Sequence, residues 1–151
     1  MHAHRLNAYT IAPAGMTALR SVEAYLHQTT LGDRLIELVK MRASQINGCA
    51  YCLDMHSKTL RKDGETEQRI YLLNGWRESP IYSPRERAAL AWTDALTRIA
   101  EGHPSNEAYE ELRRHFDEKE VVDLTTLIGM INLWNRLAIS LRYEHPVSAA
   151  A

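Results

Sequence analysis

Glu37-Leu38-Val39-Lys40-Met41-Arg42-Ala43-Ser44-Gln45-Ile46-Asn47-Gly48-Cys49-Ala50-Tyr51-Cys52-Leu53-Asp54-Met55-His56 is the stretch on which the reading of this chain turns. Leu35, Leu38, Val39 and Ile46 mark one side of a helix predicted over about Asp33 to Ile46. Asn47-Gly48 supplies its stop, because glycine tolerates the left-handed conformation of a helix C-terminus. A following helix is predicted from about Cys49 to Lys62, with Gly64 as its stop. A helix, a sharp break and a second helix return the chain on itself, so Glu37 can come back beside the cysteines.

The same signals extend outward in both directions. Upstream, Leu19, Val22, Tyr25 and Leu26 give a helix over about Thr17 to Gln28. Downstream, a short helix covers about Glu67 to Asn74. Ser83-Pro84-Arg85-Glu86 joins a capping serine, a proline at the first helical position and a capping-box glutamate, starting a helix that reaches about Ala100. Gly102-His103-Pro104 breaks it. Ser105 caps a sixth helix through His115, and Asp117 with Glu120 starts a last one to about Tyr143. No sustained period-two alternation is present, so the expectation is all-α. The last helix carries Val121, Leu124, Leu127, Ile128, Ile131 and Leu137 among many apolar residues and lacks a polar face. That predicts burial on all sides, at a subunit interface or as a central helix. Trp76, Trp92 and Trp134 are read as core or interface residues.

The 151 residues fit one domain, spanning 1–151, and 45% apolar with 25% charged residues is ordinary for a globular chain. A net charge of −1 offers no basic surface for nucleic acid. Asp123, Asn132, Asn135 and Arg136 interrupt the longest apolar run, which argues against a membrane span. Asn132 and Asn135 need polar partners wherever they are buried. Met1-His2-Ala3-His4-Arg5 lacks the apolar core of a signal peptide, so a cytoplasmic location is expected. The residues Ala149 to Ala151 are expected to fray. In a reducing compartment a cysteine pair is more often catalytic or metal-binding than structural.

Cys49 and Cys52 are the chain's only cysteines, and His56 follows Cys52 by four. At about 100° per residue the three fall within a roughly 60° sector of one helix face. With Cys49 in the first turn, both thiols lie near free backbone N–H groups and the positive end of the helix dipole, which favour thiolate. His56 can move a proton or orient a carboxylate. Zinc-compatible ligation by Cys49, Cys52, His56 and Glu37 is a rival use of the same residues, as are two plainly buried thiols. His2, His4, His103, His115 and His145 show no ligand spacing and are read as surface or turn residues.

The run Ile46 to His56, with Glu37 twelve residues before Cys49, resembles the active-site signature of the AhpD-like alkylhydroperoxidases in the carboxymuconolactone decarboxylase-like family. That signature is a glutamate, eleven residues, Cys-x-x-Cys, three residues and a histidine. The resemblance extends over about Asp33 to Arg142, through Glu65-Thr66-Glu67-Gln68-Arg69 and Arg85 to Trp92. It implies an AhpD-like helical bundle that assembles as a trimer or hexamer. It also implies a thiol-dependent hydroperoxide reductase that uses no haem, flavin or metal, with a hydroperoxide and a dithiol reductant as partners. Carried over by position, Cys52 is the attacking thiol, Cys49 the resolving one, and Glu37 draws the proton of Cys52 through His56 or a water. One position departs: the residue before the second cysteine, a histidine in the best-characterised peroxidases, is Tyr51, and a phenol is a poor base near neutral pH. Decarboxylation of a carboxymuconolactone-type substrate and a non-enzymatic redox-sensing oligomer are the alternatives. A thioredoxin-type fold is disfavoured because no strand–helix–strand pattern surrounds the pair.

Overall fold

The computed structural model describes residues 4–147; His2 and the Ala149–Ala151 tail lie outside them. The described residues form eight α-helices and no strand: α1 (Ala8–Ile11), α2 (Pro13–Leu26), α3 (Asp33–Asn47), α4 (Ala50–Lys62), α5 (Glu67–Leu72), α6 (Pro84–Thr97), α7 (Asn106–Arg113) and α8 (Glu118–Leu141). The all-α expectation holds. A 3₁₀ turn, Leu73–Gly75, completes the segment read as one short helix to Asn74. Sequence reading missed α1 and began α2 at Thr17. Pro13 sits at the first turn of α2, but Ala12 offers no side-chain cap, so the start carries only half of its usual signature.

The stops and starts around α3 and α4 follow from single residues. Gly48 takes φ 67° at the end of α3, and the Cys49 N–H closes back onto the Ser44 carbonyl at 3.1 Å. Cys49 is the N-cap of α4, one residue outside the helix that the sequence placed it in. Its Sγ accepts from the Cys52 N–H at 3.3 Å. Both anticipated capping boxes form, Ser83 with Glu86 and Asp117 with Glu120. α6 ends at Thr97, short of Ala100, and α8 at Leu141, where Arg142 takes the left-handed φ of 57°.

α3 is the axle of the bundle, packed against α4, α6 and α8. One core lies between α2, α3, α6, α7 and α8, around Leu26, Ile36, Leu124, Leu127 and Ile128. A second joins α3 to the α4–α6 segment through Leu38, Leu60, Leu73 and Leu90. Each such leucine, fully out of water, contributes about 1.5–3 kcal/mol. Polar ties cross the same boundary: the buried Arg42 of α3 donates from Nε to Asp94 of α6 at 2.6 Å. Asn132 and Asn135 of α8 are satisfied within the chain. Both side-chain oxygens accept from Asn47 Nδ2, and Asn135 donates to Ser44.

The chain by itself does not bury α8 on all sides, so the central-helix form of the expectation fails and the subunit-interface form stays with the oligomer proposed below. The α8 stripe through Val122, Gly129, Arg136 and Ile139 is exposed, with Val122 at 64%. The helix is covered by α2, α3, α4, α6 and α7, and these neighbours leave that side open. Among the described residues no helix is long and apolar enough to cross a membrane.

Candidate active site

The break at Asn47-Gly48 lays α4 along α3, and their contact brings together residues nineteen apart in sequence. His56 Nδ1 meets Glu37 Oε2 at 2.7 Å, with both side chains buried. A carboxylate only accepts, so Nδ1 carries the proton. In the neutral ring this leaves the Nε2 lone pair free, and Nε2 is buried without a protein partner. Burial pushes the Glu37 carboxyl up, but the His56 hydrogen bond and the charges of His56, Lys40 and His27 outweigh it and hold the group below its ordinary 4.5. Glu37 is therefore ionised at neutral pH.

Cys49 and Cys52 are joined by a disulfide, with Cα atoms 5.3 Å apart and exposures of 1% and 2%. The two sulfurs differ in surroundings. Both pack with Ala138, Tyr51 and Tyr143, but the Cys49 Sγ is turned to the backbone, where it caps α4. Cys52 and His56 line a cavity of about 220 Å³, and Cys49 does not. That volume exceeds the roughly 150 Å³ that accommodates a single benzene ring in an apolar interior. Tyr9, Tyr51, Met55, Trp134, Ala138 and Tyr143 build most of its wall. The Tyr51 ring stands edge-on to Tyr143 at 5.6 Å, and the exposed His4, read from sequence as a surface or turn residue, lies tilted against Tyr143 at 5.1 Å. Arg5 pins this corner by donating from its backbone N–H to Leu141 and from Nη1 to Ser140, both at 3.0 Å.

The remaining wall is polar and was not anticipated. Lys40, 5% exposed, donates to Glu23 at 2.7 Å and lies 3.6 Å from Glu37. Trp134, read as a core or interface residue, donates from Nε1 to the other Glu23 oxygen at 2.8 Å. His27 Nε2 is 3.4 Å from the Lys40 ammonium, and its Nδ1 meets Asp33 at 2.7 Å. The one available signal was the Glu37–Lys40 spacing, three apart on α3. Glu23 and Trp134 come from α2 and α8, and no local pattern links them to the motif.

Glu37, Cys49, Cys52 and His56 thus converge as the spacing required, with Tyr51 on the cavity wall. The four do not close into a ligand set: among the described residues no cluster of three or more His, Cys, Asp or Glu is placed to hold a metal ion. What the arrangement can do chemically is activate one thiol. A carboxylate orients a buried imidazole that lines the same cavity as Cys52, and Cys49 is bonded to Cys52 as a second sulfur.

The described residues thus define a helical bundle with a buried Cys-x-x-Cys pair beside a glutamate–histidine couple. Residues 12–95 match the carboxymuconolactone decarboxylase family, and the chain belongs to that family. It is 45% identical over 137 residues, 91% of this chain and 93% of the relative, to the uncharacterized protein YdfG of Bacillus subtilis. It superposes with a TM-score of 0.93 and 47% identity on a protein of unknown function from Agrobacterium tumefaciens whose suggested class is the antioxidant defence protein AhpD. That match covers 97% of this chain and all of the other. A peroxidase-related protein from Silicibacter shares 25% identity at a TM-score of 0.80, covering 91% of this chain and 73% of its own. The AhpD-like resemblance and the AhpD-like helical fold are thereby established.

Proposed function

We propose that the protein is a thiol-dependent hydroperoxide reductase in which Cys52 attacks the peroxide. The observation that carries this reading is that Cys52, and not Cys49, lines the cavity with His56, whose Nδ1 is held by Glu37 and whose Nε2 has no protein partner. His56 Nε2 takes the Cys52 proton. The thiolate attacks one peroxide oxygen, the O–O bond breaks, and the departing alkoxide takes the proton from His56. Cys52 is left as a sulfenic acid and an alcohol is released. Cys49 then attacks the Cys52 sulfur; the S–S bond forms and water leaves. An external dithiol reduces the disulfide by exchange. The aromatic and aliphatic wall suits an organic hydroperoxide.

The partners are then a hydroperoxide and a dithiol reductant, protein or small thiol, with no cofactor. The homo-oligomer, a trimer or hexamer, belongs to the same proposal, and light scattering reads it directly.

The test is trapping of the sulfenic acid. Reduced Cys49→Ser, treated with cumene hydroperoxide and dimedone, gains one adduct at Cys52, and Cys52→Ser gains none. An adduct on Cys49 in Cys52→Ser would reverse the assignment. Absence of any adduct in Cys49→Ser would favour the decarboxylase or redox-sensor readings.

A further inference from the structure

Lys40 is an unusual residue to find inside a small helical protein. Its stem and ammonium are buried on the cavity wall, and no part of the reductase chemistry above uses it. Burying an ammonium is costly unless it is paired, and this one is paired twice. It donates to Glu23 at 2.7 Å and stands 3.6 Å from the Glu37 oxygen that does not bond His56. Glu23 is itself fixed by the Trp134 indole. One cation thus stands between two carboxylates, one of which belongs to the thiol-activating couple.

We propose that Lys40 is a positioning residue that keeps Glu37 ionised, and with it His56 in the Nδ1–H form, down to the acid end of the working range. The proposal rests on the thiol-activation reading of Cys52, His56 and Glu37. Without the ammonium, the partly buried Glu23 and the buried Glu37 become two neighbouring carboxylates with no cation between them, and such pairs retain a proton. A protonated Glu37 no longer demands a proton from His56 Nδ1, and the Nε2 base is lost. The other charged groups here are few. On α2 they are Arg20 at the cavity and His27, which is held by Asp33. The facing residues of α1, α4 and the C-terminal segment are the phenols Tyr9, Tyr51 and Tyr143.

The test uses the full chain with Cys49→Ser, which leaves Cys52 as the only thiol, and follows iodoacetamide alkylation against pH. The ring nitrogens of His56 are followed in parallel by ¹⁵N NMR. Lys40→Met moves the acid limb of alkylation upward by about one pH unit, a tenfold loss at fixed pH. The Nδ1–H tautomer disappears over the same interval. Lys40→Arg keeps the limb in place. Adding Glu23→Gln to Lys40→Met returns the limb part of the way, because one of the two competing carboxylates is gone; loss of packing would not be repaired by that change. If Lys40→Met does not fold, Lys40→Arg and Glu23→Gln/Lys40→Met still separate charge from shape. A Lys40→Met limb that superimposes on the parent overturns the proposal and leaves the reductase reading intact. A parent protein that alkylates like an ordinary thiol near 8.5 overturns the thiol-activation reading itself.

Discussion

Replacing Glu37 by glutamine changes one atom and tests how the couple works. In the native site Glu37 Oε2 accepts from His56 Nδ1 at 2.7 Å, and Oε1 faces the Lys40 ammonium at 3.6 Å. An amide has one oxygen and one NH₂ group. The ammonium can only donate, so the Gln oxygen turns to Lys40 and its NH₂ to His56. Nδ1 must then accept, the ring proton moves to Nε2, and Nε2 is no longer a base. Loss of a positioned general base costs about 10²–10⁴ in rate. The same carboxylate-to-amide change behind the histidine of a serine-protease triad costs about 10⁴. The expected loss is therefore about 10²–10⁴-fold, or roughly 3–5 kcal/mol in the barrier. The assay is single-turnover consumption of cumene hydroperoxide by the pre-reduced protein at pH 7. The loss should fall on the rate of the chemical step. A loss under about threefold would refute the claim that Glu37 sets the His56 tautomer.

Other consequences follow from residues away from the couple. Glu65 is buried. Burial raises its carboxyl, but Arg34, the Thr66 N–H and Arg69 outweigh it and hold the group below 4.5. A depressed carboxyl contributes stability above its unfolded value that is lost as pH falls through the folded one. Thermal melts should show Glu65→Gln less stable than wild type by about 3–5 kcal/mol at neutral pH, with the gap closing below pH 4.5. Ser83→Ala removes the cap that closes the box at the start of α6. It should cost about 1 kcal/mol, or about 2–4 °C in Tm, by calorimetry. Tyr51→His puts a second imidazole on the cavity wall, and peroxide consumption should rise about tenfold; an unchanged rate would mean that His56 alone suffices.

The parts that were legible in sequence are those with local chemistry. Gly48, Ser83, Ser105 and Asp117 mark helix ends because a cap is a contact within a few residues, and all four act where they were expected to. Cys49, Cys52 and His56 share one helix face by spacing alone, and Glu37 needed only the turn at Gly48 to reach them. Lys40, Glu23 and Trp134 were out of reach, because their meeting depends on how α2, α3 and α8 cross. Trp134 was read only as a core or interface residue because an indole N–H states no partner until one is placed beside it. The stripe through Val122 and Ile139 shows the same limit: apolar composition says that a helix prefers burial, and only the packing of its neighbours says which side the chain itself covers.

The most direct test of the account is turnover of cumene hydroperoxide with a dithiol reductant, wild type against Cys52→Ser. The account predicts steady consumption by the wild type that disappears in the variant. Equal consumption by the two proteins, or none by a wild type whose thiols are confirmed reduced, would contradict it.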